Sequence, residues 1–435
     1  MQKSKLIGNI EVPGDKSISH RVLIFASFCK GITKIEGLSP AQDCASTANC
    51  LSSLGLKIND KESNDAKGKQ QSYITVEASG IKQLHAPKAN LFVGNSGTTI
   101  RLLAGLTAGQ PFTCQFDGDE SIRQRPMARV LQYLEKMGAH IDYIDKEGLA
   151  PFTIRGGNLE GQEFKLKVAS AQVQTAILLA GLQAKGKTTV HLPSIARDHT
   201  TRLFKHIGIP FQNNDGSISL EALNDPIRPF QYKVPGDISS AAFFMVATAC
   251  LPGSKLVLTN VGINSGRTLV IDVLKRMGAN ITLLNTRIMA NEPIADIEII
   301  GGDQLVGTEI SGNEIASGID EIPILALAGA FCKGNFVVRD ASELRHKESD
   351  RLQLITSNLK IAGVDITESE DGFTIVGKKN IPGGSLWQTH LDHRLAMCGL
   401  VANLLFDNPL SIEETASTVI SYPDFARDLK SLAKN

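Results

Sequence analysis

Five segments of the chain repeat one pattern of hydrophobic and polar positions. In each, apolar residues recur as on one face of a helix, a glycine follows, and then apolar and polar residues alternate. The first part predicts an amphipathic outer helix that ends at the glycine, and the alternation predicts the start of a strand. Copies 70 to 85 residues apart indicate a chain built from repeats. The copies are LSSLGLKI (51–58), LEKMGAHI (134–141), FKHIGIPF (204–211), LKRMGANI (274–281) and LKIAGVDI (359–366).

Six other segments predict helices that are apolar on nearly every face, which is typical of helices buried inside a domain. Each begins with small or polar residues, and most end at Gly or Pro. Strands rich in Val, Ile and Thr, such as YITVEA and IEIIGG, fill the intervals. The predicted fold class is therefore α/β, with six units of a buried helix, an outer helix and a sheet, three units in each half. The buried helices open at DKSIS (15), NSGTT (95), SAQVQ (170), DISSA (237), DEIPI (320) and DHRLA (392).

The two halves are related by an internal echo. EVPGDKSISHRVLIFASF (11–28) is repeated in outline by KVPGDISSAAFFMVATAC (233–250), about half the chain further on. A chain of 435 residues is also too long for one ordinary core. We therefore expect a first domain of residues 14–233 and a second domain of residues 1–13 plus 234–435, so that the first strand belongs with the second half.

Composition excludes several classes of protein. Lys plus Arg equals Asp plus Glu, 45 each, so the chain is not expected to coat nucleic acid. No run is long and apolar enough to span a membrane, and the N-terminus has no apolar signal core. Seven scattered cysteines without CxxC pairs indicate reduced thiols and a cytoplasmic location. The histidines show no metal-binding spacing, and no phosphate-binding GxxxxGK[ST] loop is present.

Charged and hydrogen-bonding residues gather at the predicted starts of the buried helices. A buried helix must satisfy its first N–H groups, and its N-terminus favours an anion. Lys16 and Arg394 are cations placed against the helix dipole, a conflict that an anionic ligand would remove. Two interpretations stay open, a capped and solvated helix start or an anion site. The residues are Lys16, Ser17, Arg21, Asn95, Ser96, Gly97, Arg101, Ser170, Gln172, Asp320, Glu321, His393 and Arg394.

Two loops add positive charge and candidate acid–base groups. ESIRQRPMAR (120–129) carries three arginines, and SELRHKESDRL (342–352) carries two arginines and a lysine among acidic residues. On spacing alone, the second loop favours a surface helix with paired charges. Asp320 and Glu348 are the acid–base candidates, although Asp320 also fits a simple N-cap ahead of Pro323. Several Arg side chains together suit a small ligand with more than one anionic group.

Nine motifs span the chain almost from end to end. They are PGDKSISHR (13–21), GNSGTTIR (94–101), IRQRPM (122–127), SAQVQTA (170–176), ARDHT (196–200), DEIP (320–323), LRHKESDR (344–351), DHRLAM (392–397) and YPDF (422–425). Together they resemble the 5-enolpyruvylshikimate-3-phosphate synthase family. The resemblance implies an inside-out α/β barrel, with two domains of three βαβαββ repeats and an active site in the cleft between them. It also implies transfer of the enolpyruvyl group of phosphoenolpyruvate to the 5-hydroxyl of shikimate 3-phosphate, with release of phosphate.

The resemblance also implies residue roles. Asp320 resembles the base on the 5-hydroxyl, Glu348 the proton carrier for the enol methylene, and Lys16 a lysine that touches both substrates. The implied phosphoenolpyruvate set is Lys16, Gly97, Arg125, Gln172, Arg351 and Arg394. The implied shikimate 3-phosphate set is Lys16, Ser17, Arg21, Ser170, Ala171, Gln172, Arg197, Asp320 and Lys347.

The chain departs from the family pattern at two positions. Ala171 stands where some members have a second Ser, and Ile420 stands where some have a Lys. The rival functions are the sister transferase acting on UDP-N-acetylglucosamine, which has a Cys in the loop that here reads DGDESIRQRP, and a non-catalytic anion-binding protein. No metal or organic cofactor is expected, and the partners are expected to be the two substrates alone, bound by a monomer.

Overall fold

The structure is a computed structural model that describes residues 4–64, 70–193, 197–214, 216–302 and 304–434. Ala196 of the ARDHT motif lies outside the described residues. The chain divides into two compact units. The first unit is Gly14–Val234 with Met289–Glu292, and the second is the chain up to Pro13, Pro235–Ile288 and the chain from Pro293 onward.

The helices of the described residues have the following bounds. They are α1 (Lys16–Ala26), α2 (Gln42–Ser53), α3 (Gly97–Ala108), α4 (Glu120–Gln124), α5 (Ala128–Lys136), α6 (Ala171–Gly181), α7 (His199–Ile207), α8 (Ile238–Ala249), α9 (Leu269–Arg276), α10 (Ile315–Gly318), α11 (Ile322–Ala330), α12 (Arg351–Ile361), α13 (His393–Leu405) and α14 (Phe425–Leu432).

The strands are short and form several small sheets. They are β1 (Lys5–Ile10), β2 (Lys30–Glu36), β3 (Lys57–Asn64), β4 (Gln70–Ser79), β5 (Leu91–Phe92), β6 (Thr113–Asp117), β7 (His140–Tyr143), β8 (Phe152–Arg155), β9 (Glu163–Lys165), β10 (Thr188–His191), β11 (Gln212–Asn214), β12 (Ser217–Leu220), β13 (Gln231–Lys233), β14 (Lys255–Gly262), β15 (Asn280–Met289), β16 (Glu292–Ile300), β17 (Glu309–Ile310), β18 (Asn335–Val338), β19 (Asp365–Glu368), β20 (Phe373–Val376), β21 (Leu386–Trp387), β22 (Ser411–Ile412) and β23 (Ala433–Lys434).

The βαβαββ repeat is clearest in β5–α3–β6–α5–β7–β8. Strands β5 and β6 pair in parallel around the buried helix α3, and β7 and β8 then return as an antiparallel hairpin beside β6. The same order recurs in β9–α6–β10–α7–β11–β12 and in β17–α11–β18–α12–β19–β20. The predicted repeat of buried helix, outer helix and sheet is confirmed. The last repeat is reduced, because α13 joins only the two-stranded pair β21 and β22.

Two strands are exchanged between the repeats that open the units. Strand β1 precedes α1 in the chain, yet it pairs in parallel with β14 in the second unit. Strand β13 precedes α8, yet it pairs in parallel with β2 in the first unit. The two Pro-Gly turns at Pro13 and Pro235 are the points where the chain passes from one unit to the other. The echo of EVPGD in KVPGD therefore marks two equivalent crossings.

The five glycines of the repeated outer-helix pattern all have a positive φ. Gly55, Gly138, Gly208, Gly278 and Gly363 lie between 79° and 110°. Residues with a side chain rarely adopt this conformation, so glycine is the residue that ends the helix and turns the chain toward the next strand. The sequence prediction of these helix ends is confirmed. The third copy differs in detail, because β11 begins only at Gln212, beyond Pro210.

Each unit has its own hydrophobic core. The predicted burial of the apolar helices is confirmed, and α8 is buried along its whole length. Each fully buried Leu, Ile or Phe side chain contributes about 1.5–3 kcal/mol relative to an exposed one. Trp387 belongs to the core of the second unit, where its indole N–H donates to the Leu395 carbonyl at 2.9 Å. Six of the seven cysteines are buried. Within the described ranges, no helix is long and apolar enough to cross a membrane.

Candidate active site

Arg21 joins α1 to α6 and α7 within the first unit. Arg21 on α1 is buried and donates to the hydroxyls of Thr175 on α6 (3.0 Å) and Thr200 on α7 (2.8 Å). It also donates to the carbonyl of Ser17 at 2.8 Å and, more weakly, to that of Ala171 at 3.4 Å. These oxygen atoms hold its guanidinium where α1, α6 and α7 meet.

Lys16 is the first residue of α1 and forms an ion pair in the structure. Its Nζ lies 2.8 Å from Oδ2 of Asp43, in the first turn of α2. The N-cap of α1 is Asp15, whose carboxylate accepts from the Ile18 N–H at 2.8 Å. Asp43 therefore pairs with the lysine that stands against the helix dipole, while Asp15 caps the helix.

Gln172 links the start of α6 to that of α3. Its amide oxygen accepts from Nη1 of Arg101 at 2.9 Å, and its amide nitrogen donates to the Thr98 hydroxyl at 2.9 Å. Gly97 lies beside the same arginine, because a Cβ at this position would be 2.8 Å from Arg101 Nη1 and 3.2 Å from Arg125 Nη1. A side chain at residue 97 would displace both guanidinium groups, so the glycine lets them approach the helix start.

Arg123 and Arg125, which follow β6, have different partners. Arg123 is bound by Asp117 at 2.6 Å, and this hydrogen bond is the main cause that lowers the pKa of Asp117 below its ordinary value. Arg125 is buried and donates to the side chains of Asn95 (2.7 Å) and Ser121 (2.8 Å). Arg123 thus anchors α4 to β6, and Asn95 and Ser121 hold Arg125 beside the start of α3.

His20 is fully buried beneath these helix starts. Its Nδ1 contacts the Thr47 hydroxyl at 2.7 Å, and Thr47 contacts the Thr99 hydroxyl at 2.7 Å, so α1, α2 and α3 share one hydrogen-bonded chain. Burial, and then the charges of Lys16 and Arg21, lower the pKa of His20 well below its ordinary value of 6.5. The imidazole is therefore neutral in the folded protein.

This lowered pKa predicts a loss of stability in acid. Below about pH 6.5, His20 is protonated in the unfolded chain but stays neutral in the folded chain. The free energy of unfolding therefore falls by up to about 1.4 kcal/mol for each pH unit. Urea unfolding followed by circular dichroism at about pH 7 and about pH 5 measures the loss. The fall should be smaller in His20→Gln, and an equal fall in both proteins would contradict the neutral assignment.

In the second unit, Arg351 is the centre of an ion-pair cluster. It is 1% exposed; its Nε lies 2.7 Å from Oδ2 of Asp392 and its Nη2 lies 2.6 Å from Oε2 of Glu348. Asp392 is itself fully buried and caps α13 by accepting from the Arg394 N–H at 2.9 Å. Burial alone lowers the pKa of Arg351, but Asp392, Glu348 and Asp320 outweigh it and raise the pKa above its ordinary value.

Asp320 lies beside two cations of this cluster. Its Oδ1 is 3.2 Å from Lys347 Nζ and 3.4 Å from Arg351 Nη1, and its side chain keeps 16% exposure. Arg351 therefore touches both acid–base candidates, Asp320 and Glu348. The arrangement can accept a proton at one carboxylate and hold a second carboxylate on the same guanidinium.

Arg394 connects the start of α13 to that of α11. Its Nη1 donates to the Asp320 carbonyl at 3.1 Å and lies 3.5 Å from Oε1 of the fully buried Glu321. Glu321 also accepts from the hydroxyl of Ser239 on α8, to which Arg267 donates at 2.6 Å. The second unit therefore gathers the starts of α8, α11 and α13, as the first gathers α1, α3 and α6.

The chain matches known proteins over nearly its whole length. The sequence profile of EPSP synthase (3-phosphoshikimate 1-carboxyvinyltransferase) matches residues 1–429. The chain belongs to the EPSP synthase family. The 3-phosphoshikimate 1-carboxyvinyltransferase of Bacillus velezensis is 43% identical over 99% of this chain and 98% of the relative. That of Brevibacillus brevis is 43% identical over 98% of this chain and 97% of the relative.

Solved structures agree with this assignment to the EPSP synthase family. The EPSP synthase of Acinetobacter baumannii has a TM-score of 0.86 and 39% identity, and the match covers 99% of this chain and 96% of that one. The enolpyruvyl transferase NikO of Streptomyces tendae has a TM-score of 0.78 at 17% identity, over 100% and 96% of the two chains, and supports the fold alone. The expected two-domain α/β fold of enolpyruvyl transferases is confirmed.

Two local interpretations of the EPSP synthase motifs are wrong. The N-cap of α11 is Glu321, not Asp320, because a short 3₁₀ turn at Ile319–Glu321 precedes the helix and leaves the Asp320 carboxylate for Lys347 and Arg351. The LRHKESDR segment is not a surface helix, since α12 begins only at Arg351, which is buried. Arg345 does lie on the surface, where it pairs with Asp350 and Glu368.

Sequence reasoning missed two residues that hold the candidate site together. Asp43 binds Lys16, and Asp392 binds Arg351. Glu321 is among the predicted helix-start residues, and it lies beside Arg394. Asp43 gave one usable signal, an acidic residue in the first turn of a helix that comes after α1. Arg197, named from the ARDHT motif, is half-buried just before α7. Ser170 is found where expected, as the N-cap of α6.

Proposed function

We infer that this chain transfers the enolpyruvyl group of phosphoenolpyruvate to the 5-hydroxyl of shikimate 3-phosphate and releases phosphate, the step of the shikimate pathway that leads toward chorismate and the aromatic amino acids. The family match over residues 1–429 supports the reaction. The observation that carries it is the cluster around Arg351, which contacts Glu348 at 2.6 Å and Asp320 at 3.4 Å. An addition and an elimination each need a proton moved at a defined atom, and this cluster holds two carboxylates for that purpose.

The reaction proceeds by addition and then elimination. Asp320 takes the proton of the 5-hydroxyl while its oxygen attacks C2 of phosphoenolpyruvate, and Glu348 delivers a proton to C3. The tetrahedral intermediate still carries the phosphate. Phosphate then leaves C2 with the proton that Asp320 took up, and Glu348 takes back a proton from C3, which restores the double bond and yields the enolpyruvyl ether. Arg351 keeps the two carboxylates a fixed distance apart through its contacts with both.

Both substrates are polyanions, so the site must offset their mutual repulsion. We assign shikimate 3-phosphate to residues at the starts of α1 and α6 and in the loops before α7 and α12. Several residues are needed, because each charge-assisted hydrogen bond contributes about 1.5–3 kcal/mol. The hydrogen bonds of Arg21 to the oxygens of Thr200, Ser17 and Thr175 support this assignment, because they hold the guanidinium in one position. The proposed set is Lys16, Ser17, Arg21, Ser170, Ala171, Gln172, Arg197, Asp320 and Lys347.

We assign phosphoenolpyruvate to Lys16, Gly97, Arg125 and Gln172 of the first unit and to Arg351 and Arg394 of the second. The closeness of Arg125 to Gly97, where an added Cβ would lie 3.2 Å from Nη1, supports the grouping, because the glycine backbone and the arginine can then hold one phosphate together. The expectations of a monomeric, cytoplasmic enzyme without a cofactor stay predictions.

Replacing Arg125 by alanine is expected to weaken the binding of phosphoenolpyruvate much more than the binding of shikimate 3-phosphate. The loss of one charge-assisted anchor should raise KM for phosphoenolpyruvate about ten- to a hundredfold. Arg155→Ala is the matched control, since Arg155 is an exposed arginine of the same unit that pairs with the exposed Asp142. Initial rates with each substrate varied in turn measure both constants. An effect confined to shikimate 3-phosphate would reverse the assignment.

A phosphate-release assay with each substrate omitted in turn tests the proposed function. Phosphate should appear only when both substrates are present, and UDP-N-acetylglucosamine should not replace shikimate 3-phosphate. The sister transferase that uses this nucleotide sugar is disfavoured because the loop DGDESIRQRP has no Cys. A non-catalytic anion-binding protein would bind both substrates and release nothing, and that result would overturn the proposal.

A further inference from the structure

The residues just before α13 form an unusual turn. His390 and Leu391 both have a positive φ, 46° and 61°, and the Asp392 N–H donates to the Thr389 carbonyl at 2.9 Å. Two central residues with positive φ closed by this bond are the pattern of a type I′ turn, which strongly favours Asn and Gly. A leucine in this conformation is strained, because its Cβ lies close to the backbone.

Packing of the leucine side chain does not explain the strain. Leu391 is 72% exposed, the largest exposed fraction among the exposed large apolar side chains of the described residues. An exposed side chain contributes little burial energy, so another interaction has to hold the turn in this conformation. Strained backbone of this kind persists only where the surroundings over-determine it.

Glu413 supplies that interaction. Its Oε2 accepts from the backbone N–H groups of Thr389 at 2.7 Å and of His390 at 3.0 Å. These two backbone hydrogen bonds are the main causes that lower the pKa of Glu413 below its ordinary value. The carboxylate is itself fixed, because the Glu413 N–H donates to the Trp387 carbonyl at 2.9 Å directly after β21 pairs with β22.

The turn is also tied to its neighbours on either side. Asn358 on α12 binds the backbone of Gln388 twice, at 2.7 and 2.8 Å. Glu414 accepts from the Thr389 hydroxyl at 2.8 Å. These contacts fix the chain up to Thr389, so the next two residues carry the remaining freedom.

The turn leads directly into the ion-pair cluster of the second unit. Asp392 is the next residue; it binds Arg351 at 2.7 Å and caps α13 at the Arg394 N–H. A change in φ at His390 or Leu391 would move Asp392 first, and the two arginines through it. The position of both guanidinium groups therefore depends on the shape of this turn.

We propose that Glu413 is a positioning residue for enolpyruvyl transfer, which holds the His390–Leu391 turn in its left-handed shape and so fixes Asp392, Arg351 and Arg394. Glu413 itself touches no substrate. The inference rests on the proposed function, because it assigns the two arginines to phosphoenolpyruvate. It also explains why a strained leucine stands where glycine would be relaxed: the anchor makes the strained conformation sustainable.

The first arm of the test is Glu413→Ala, with Glu413→Gln as a milder variant if the first folds poorly. A small misplacement of positioned groups costs up to about a hundredfold, so kcat/KM for phosphoenolpyruvate should fall about ten- to a hundredfold. KM for shikimate 3-phosphate should change less than about twofold, since most of its proposed set lies in the first unit. Glu370→Ala is the matched control, because Glu370 is an exposed carboxylate on the loop between β19 and β20. This variant should have the kinetic constants of the wild-type protein.

The second arm is rescue through the backbone. In the Glu413→Ala protein, Leu391→Gly should recover most of the lost kcat/KM, because glycine adopts a positive φ without an anchor. Leu391→Ala removes nearly the same exposed side chain but keeps the Cβ, so it should rescue nothing. Only strain at the backbone predicts a difference between these two substitutions.

Each outcome has a distinct meaning. A fall in melting temperature with unchanged kinetics in Glu413→Ala would make Glu413 merely structural and overturn the proposal, as would equal rescue by glycine and alanine. If the wild-type protein releases no phosphate in the presence of both substrates, the proposed function is wrong. The dissociation constant of phosphoenolpyruvate, measured by calorimetry on the same variants, then decides the inference by the same rescue pattern.

Discussion

Asp320→Asn is expected to bind both substrates and to turn them over about 10²–10⁴-fold more slowly, the usual contribution of a positioned general base. Asparagine has nearly the same shape as aspartate, and its amide oxygen can still accept from Lys347 and Arg351, which lie 3.2 and 3.4 Å from the carboxylate. It cannot take the proton of the 5-hydroxyl. The two KM values should therefore stay within a few-fold of the originals while kcat falls.

Asp365→Asn is the matched control for this substitution. Asp365 is an exposed aspartate at the start of β19 in the same unit, so its variant should keep full kcat. Steady-state phosphate release with both substrates varied separates kcat from KM. An unchanged kcat in Asp320→Asn would remove Asp320 from the mechanism.

Arg351→Met is expected to destabilise the second unit by about 3–5 kcal/mol, the cost of breaking a buried ion pair from one side. The guanidinium is 1% exposed and its partner Asp392 is fully buried, so methionine would leave that carboxylate buried without its charge partner. The variant should also lose activity, because Asp320 and Glu348 would no longer share a guanidinium.

Arg345→Met is the control from the same loop. Arg345 is 25% exposed and pairs with Asp350 and Glu368 at the surface, where an ion pair contributes about 0–1 kcal/mol. The protein has one tryptophan, Trp387, in the core of the second unit, so its fluorescence during urea unfolding reports this unit alone. A loss below about 1 kcal/mol in Arg351→Met would show that the ion pair is replaceable.

The repeat architecture could be predicted because it rests on local signals. A glycine such as Gly138 or Gly278 is required wherever an outer helix turns into a strand, and its φ confirms the reason. Ser170 and Asp237 cap their helices as short polar side chains do at such starts. Residues of these types act within a few positions of themselves, so a single sequence is enough to place them.

The candidate site could be predicted only in part, because its partners are distant in sequence. The spacing of Lys347 and Arg351 fits a helix face, yet Asp350 caps α12 so that the helix starts only at Arg351. The burial of Arg351 depends on Asp392, 41 residues away. The sequence predicts cations at helix starts, but it does not show that Asp43 and Asp392 balance Lys16 and Arg351 from other helices. Pairings of this kind are fixed by packing and leave no local signal.

Phosphorus NMR of the protein mixed with phosphoenolpyruvate and shikimate 3-phosphate tests the central claim most directly. Enolpyruvyl transfer predicts that the phosphoenolpyruvate signal disappears, while inorganic phosphate and the phosphate ester of the enolpyruvyl product grow in equal amounts. Without shikimate 3-phosphate, the phosphoenolpyruvate signal should persist. Inorganic phosphate formed from phosphoenolpyruvate alone, or two bound substrates whose signals never change into products, would contradict the transfer.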